Sequence, residues 1–125
     1  VDGNFIGHVG LCNINDGSAE LDNLMRGVSG GANDLMMHAE KAIIQWAFLN
    51  LQIGEIHLRV LSFNFLAIDI HKLLGFEIFD QIPLRMEMQN GDKILMPCDS
   101  DQANVNYSSY MMRLSQQKFY SLLKE

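Results

Sequence analysis

The chain is short of positive charge. Nine Lys and Arg stand against fifteen Asp and Glu in 125 residues, a net charge of −6, with no basic stripe anywhere along it. Nucleic acid and anionic membrane surfaces are therefore not expected partners. Long apolar runs are also missing: none approaches the ~18–20 residues of a membrane span, and no secretory signal is visible, which points to a cytoplasmic protein. Cysteine is scarce. Cys12 and Cys98 each lie in an apolar, strand-like setting and read as buried free thiols rather than as a disulfide or a nucleophile. The four histidines show no close metal-ligand spacing and no cysteine cluster accompanies them, so no structural zinc is expected. No Ser/His/Asp or Cys/His arrangement suggests a covalent nucleophile. Internal repeats, linkers and low-complexity segments are likewise lacking. What remains is a chain 48% hydrophobic with ordinary charge content, which reads as one globular domain.

The most informative stretch runs from Leu24 to Phe48. Its first part, Arg26 to Asp34, is small and polar, with glycines at 27, 30 and 31 that leave backbone N–H groups unobstructed. Its second part sets Leu35, Ala39, Ala42, Ile43, Trp46 and Ala47 at helical spacing, which predicts a helix burying that face, with His38, Lys41 and Gln45 outward. Asn33 and Asp34 stand where an N-cap belongs. A Gly-rich loop feeding a helix gathers unpaired N–H donors and the positive end of the helix dipole, which suits a phosphate or pyrophosphate. Such a turn also serves simply to redirect the chain.

Around it the pattern predicts further elements. Phe5 to Ile14 and Ala19 to Met25 read as an antiparallel hairpin turning at Asn15-Asp16-Gly17-Ser18, with Glu20, Asp22 and Leu24 on one face. Ile53-Gly54 would stop the helix. Glu55 to Leu61 alternates, with Ile56, Leu58 and Val60 facing the core. A short helix from Asn64 to Leu74 is capped by Asn64 or Ser62, stopped by Gly75, and packs Ala67, Ile68 and Leu74 inward. A strand from Phe76 to Met88 bends at Pro83 and turns at Asn90-Gly91 into Lys93 to Met96. Asp99 to Asn106 is polar and loop-like; Tyr107 to Leu114 reads as a last strand and Gln116 to Lys124 as a terminal helix. The fold class is α/β (α+β), a mixed sheet with helices on its faces.

Gly7-His8-Val9-Gly10-Leu11, Ala19-Glu20-Leu21, Arg26-Gly27, Ala39 with Trp46-Ala47-Phe48, Leu58-Arg59-Val60, and Asn64, Ala67, Ile68, His71, Lys72, Gly75 and Phe76 at their spacing resemble the GNAT superfamily of acetyl-CoA-dependent N-acetyltransferases. The match spans residues 5–114, with 115–125 as a C-terminal helical tail. The resemblance implies a mostly antiparallel twisted sheet whose central parallel strands, ending near Arg26 and Leu61, splay around the acyl arm. It implies acetyl-CoA as co-substrate, its pyrophosphate on the loop before the long helix, and a small-molecule amine as partner. Residues implied at the cofactor are Leu24, Met25, Arg26, Gly27, Gly31, Ala32, Asn33, Asp34, Leu35, Met36, Asn64 and Ala67. Asp22-Asn23 before Arg26-Gly27, the longer loop ending in Leu35-Met36, and Ile82-Pro83-Leu84 look like enzymes that acetylate nucleotide-linked or other amino sugars for surface polysaccharides. The sequence departs from the family's pattern twice. Asp34 and Met36 occupy the two small positions of the pyrophosphate loop, and His71 replaces the tyrosine that protonates the departing thiolate.

Acetyl transfer needs a deprotonated amine, a polarised carbonyl and a protonated leaving thiolate. Backbone N–H groups at the end of the Leu24–Arg26 strand suit the second task. Glu20 or His8 is the expected base, with Asp22 as a second carboxylate, and His71 the expected acid. Each has a plainer reading: a solvated strand residue for Glu20 and a hydrogen-bonded, half-buried histidine for His8. Asn64 can cap its helix and bond the pantetheine arm at once. The family's first strand and two helices have no counterpart before Val1, which suggests part of a longer enzyme, and an exposed strand edge there would favour a homodimer. A non-catalytic ligand- or partner-binding domain of the same fold is the alternative.

Overall fold

The computed structural model describes residues 7–25 and 32–123. Among them are six strands and three α-helices: β1 (Gly7–Asn15), β2 (Ser18–Met25), α1 (Ala32–Asn50), β3 (Glu55–Leu61), α2 (Phe65–Leu73), β4 (Glu77–Gln89), β5 (Asp92–Pro97), β6 (Ser108–Ser115) and α3 (Gln116–Leu123), with a single 3₁₀ turn at Ser100–Gln102. The strands form one curled sheet in the order β1-β2-β3-β6-β4-β5. Only β2 and β3 run parallel, joined by α1 as a crossover; their neighbours are antiparallel.

Alternation along the strands decides what the sheet buries. Ala19 and Leu21 of β2, Ile56, Leu58 and Val60 of β3, and Met112 and Leu114 of β6 form one core with Ile44, Ala47 and Phe48 of α1, Ala67 and Ile68 of α2, and Phe119 of α3. All three helices therefore pack on one face of the sheet. The opposite face carries Glu20, His57, Arg59 and Arg113, and none of the described helices covers it. The terminal helix belongs to the core, since Phe119 is buried with its ring 5.7 Å from that of Phe48.

Local chemistry sets the turns. Asn90 and Gly91 both have positive φ, as a two-residue hairpin turn of the primed type requires. Strand β4 pairs with β6 as far as Pro83 and with β5 from Leu84 onward, so the proline stands at the hand-over between partners. Helix α2 begins at Asn64, whose Oδ1 accepts the Ala67 N–H at 3.3 Å. It ends before Gly75 at φ +106°, where an added Cβ would lie 2.7 Å from Leu122.

Four expectations are corrected. Helix α1 starts at Ala32, so Asn33 and Asp34 fall inside its first turn rather than at the cap. It ends at Asn50, with Gln52 taking the left-handed conformation in place of Gly54. Its buried stripe runs through Glu40, Ile44, Ala47 and Phe48, whereas Ala42 and Trp46 are exposed. The stripe was hidden because a glutamate sits in it. Both cysteines are free thiols, but each is half-buried rather than buried.

Candidate active site

Strands β2 and β3 pair only over Ser18–Glu20 and Glu55–His57. Beyond that point β2 stays with β1 and β3 stays with β6, so the two parallel strands diverge. The divergence opens a cleft of about 300 Å³ bordered by Glu20 and Asp22 on one side, Arg59 on the other, Ser109 from β6, and Leu84 and Leu95 from the β4–β5 hairpin that curls toward it. Backbone groups of splayed strands have no ladder partner on the open side, so a ligand arm laid between them can supply one.

Glu20 is the hub of this cleft. Its Oε2 accepts a hydrogen bond from Arg59 Nη2 at 3.1 Å, and its Oε1 accepts from Asn13 Nδ2 at 3.3 Å, with His57 Nε2 at 3.8 Å. The Cys12 thiol donates to Oε2 at 3.9 Å. Burial and the carboxylates of Glu20 and Asp22 push that thiol's pKa up, since a thiolate beside negative charge is disfavoured. Arg59 keeps a half-exposed guanidinium facing the cleft, so its pairing with Glu20 contributes at most about 1 kcal/mol.

His71 lies elsewhere. It is 1% exposed, in the last turn of α2, with Nε2 3.1 Å from both carboxylate oxygens of Glu40, itself fully buried in α1. The edge of its ring meets Phe76, with centroids 5.6 Å apart. Asn64 acts as the N-cap of α2, and Ala67 is buried behind it.

The other expected site residues lie at or beyond the limits of what is described. His8 pairs with Leu24 and Gly7 with Met25 through their backbones; the side chains of His8, Leu24 and Met25 lie outside the described residues. So do Arg26, Gly27 and Gly31 altogether, and the side chains of Ala32, Asn33, Asp34, Leu35 and Met36, whose backbone forms the start of α1. Sequence patterns passed over Arg59, His57 and above all Glu40. Arg59 and His57 share the polar face of a strand whose alternation was plain, and only the partner strand shows that they converge on Glu20. Among the described residues no group of three His, Cys, Asp or Glu is placed to hold a metal ion. Nor is any helix among them long and apolar enough to cross a membrane.

The fold is that of the GNAT-type acetyltransferases. The chain superposes on spermidine N-acetyltransferase from Vibrio cholerae in complex with CoA and spermine with a TM-score of 0.64 and 21% identity, covering 96% of this chain and 63% of that one. It also superposes on the N-acetyltransferase PseH from Campylobacter jejuni with a TM-score of 0.56 and 21% identity, over 89% of this chain and 60% of that one. A dodecameric form of the Vibrio cholerae enzyme gives 0.64 at 23% identity. The chain thus spans a little over three-fifths of the length of the solved structures it matches. No family model matches the sequence, and no curated protein does.

Proposed function

We propose that the chain transfers an acetyl group from acetyl-CoA to the primary amine of a small molecule by direct attack of the amine on the thioester. The observation that carries this reading is the divergence of β2 and β3 after Glu20 and His57, which opens a cleft lined by two carboxylates and a guanidinium. In this reading the acetyl-pantetheine arm lies between the splayed strands, the loop 26–31 and the first turn of α1 hold the pyrophosphate, and backbone N–H groups at the end of β2 polarise the carbonyl. Glu20 and Asp22 draw an ammonium into the cleft and lead its proton away. His71 returns a proton to the departing thiolate.

The acceptor in this reading is an amino sugar, nucleotide-linked and destined for a surface polysaccharide. Support comes from Asp22-Asn23 and Ile82-Pro83-Leu84 in the sequence and from Arg59, a guanidinium placed to meet an anionic part of the acceptor. Among the described residues β1 is an edge strand, and a homodimer through that edge belongs to the same reading.

Calorimetric titration of acetyl-CoA, desulfo-CoA and free pantetheine into the purified chain tests the proposal. Binding of the two CoA species but not of pantetheine is expected, followed by turnover in a screen that sets amino sugars against polyamines. Failure of acetyl-CoA to bind would sink the enzymatic reading in favour of a non-catalytic domain of this fold.

A further inference from the structure

The cleft holds an ion pair whose two halves are unequally committed. The Glu20 side chain is only 14% exposed, and both of its oxygens are engaged, Oε1 by Asn13 Nδ2 and Oε2 by Arg59 Nη2 and the Cys12 thiol. Arg59 is 54% exposed. A carboxylate so placed needs a cation or donor at Oε2, whereas a guanidinium largely in water gains little from the pairing. The register shows how the pair arises. Glu20 and His57 are the last partners of the β2–β3 ladder, and alternation puts Asp22 and Arg59 next on the same open face, one on each side of the gap. Arg59 therefore leans back to reach Glu20. Leu84 and Leu95 form an apolar wall beside these charges, which keeps water from that side and strengthens what the charges feel of one another.

We propose that Arg59 is the specificity-determining residue of the cleft, and that the acceptor is an amine carrying its own anionic group, a phosphate or a carboxylate, which draws Arg59 off Glu20 and leaves that carboxylate to the ammonium. The inference rests on the acetyl-transfer reading and narrows its acceptor. An ammonium entering alone finds Oε2 of Glu20 already taken and a guanidinium beside it, so it meets like charge. An acceptor with an anion of its own exchanges partners instead: its anion takes the guanidinium in charge-assisted hydrogen bonds and its ammonium takes Oε2. Two ion pairs then stand where one stood, and no charge is left buried without a partner. The exchange asks only for rotation of a side chain more than half in solvent. A polyamine, cationic along its whole length, cannot make it, because its further ammonium groups meet Arg59 on β3 where a carboxylate would be needed.

The test is calorimetric titration of matched amines into the whole chain saturated with CoA, which carries no acetyl group and so permits no turnover. Glucosamine against its phosphate ester probes phosphate, butylamine against γ-aminobutyrate probes carboxylate, and spermidine probes a polycation. The anionic member of at least one pair should bind about tenfold tighter than its partner, and spermidine no tighter than butylamine. The pair that shows the advantage identifies the anion. In Arg59→Gln that advantage should shrink to within about twofold while spermidine tightens severalfold, and Arg59→Lys, which keeps the charge, should retain most of the preference. An ion pair with no part in selection leaves the order of affinities the same in every variant, and that result overturns the inference. So does spermidine binding more tightly than the anionic amines to the unaltered chain, or no amine binding at all. Should Arg59→Gln not fold, the order measured on the unaltered chain decides. If CoA binds and the anionic amines hold no advantage, the acetyl-transfer reading stands and this inference alone falls; if CoA itself does not bind, that reading falls and takes this inference with it.

Discussion

Glu20 gathers its neighbours with very different consequences for each. Arg59 loses little, since about half of its side chain stays in solvent, but the Cys12 thiol is held in its protonated form by partial burial and by the carboxylates beside it. Replacing Glu20 with Gln removes one negative charge and keeps the shape. The thiolate becomes easier to form, so iodoacetamide should alkylate Cys12 severalfold faster at pH ~8 in Glu20→Gln than in the unaltered chain, read by mass spectrometry. An unchanged rate would mean that Glu20 does not govern the thiol. Asp34 gives a second prediction, with two signs. At about 4 Å and an effective dielectric of ~20 a carboxylate opposes a phosphate charge by roughly 4 kcal/mol, a ceiling that solvent reduces. The same carboxylate in the first turn of α1 favours the helix by ~0.3–1 kcal/mol through the dipole. Asp34→Asn should therefore tighten acetyl-CoA binding by about tenfold in calorimetry, roughly 1.4 kcal/mol, while slightly lowering the melting temperature. A variant that binds no better would remove Asp34 from the pyrophosphate site.

At the scale of elements, α2 was legible in detail and α1 was not, and the reason is physical. Asn64, Ala67, Ile68 and Gly75 each do one local job that a short-range pattern reveals: a cap, two core contacts and a left-handed stop. Losing the cap in Asn64→Ala should cost about 1 kcal/mol in denaturant unfolding. Gly75→Ala should cost more, at about 1–3 kcal/mol, because φ is +106° and the new Cβ would press on Leu122. If the alanine is tolerated without loss, α3 must be able to move away. In α1 the pattern breaks at Glu40. A hydrophobic count assigns a glutamate to solvent, so the inferred face rotated toward Ala42 and Trp46, both exposed in the fold. No reading of one helix could have found the compensating His71, because it comes from another helix, thirty-one residues on. The strands behaved oppositely: Ile56, Leu58 and Val60 declared their face by alternation alone, while the convergence of His57, Arg59 and Glu20 required the parallel register between β2 and β3.

At the scale of the molecule, the sheet is asymmetric among the described residues, with three helices against one face and the other open at a cleft formed where two parallel strands part. Beyond Glu20 and His57 the two parallel strands no longer pair with each other. Each strand keeps its antiparallel neighbour along its length, β1 for β2 and β6 for β3. Their neighbours differ, since β1 is an edge strand among the described residues while β6 is itself held by β4, so in the ligand-free chain the amides of Leu21 to Met25 should exchange faster on average than those of Ile56 to Val60. An acyl arm lying between the strands would bond the edge of β2 that faces β3 and hold the residues that follow. Saturating acetyl-CoA should then slow exchange across residues 21–36, leave the β4–β5 hairpin at Asp92 to Pro97 almost unchanged, and do so more strongly than the same concentration of free pantetheine. Protection confined to residues 26–36 would place the pyrophosphate but not the arm, and would argue that the cleft between Glu20 and Arg59 serves the acceptor alone. Uniform protection over the whole sheet would point to general tightening on binding, and the splayed strands would lose their claim to be the acyl site.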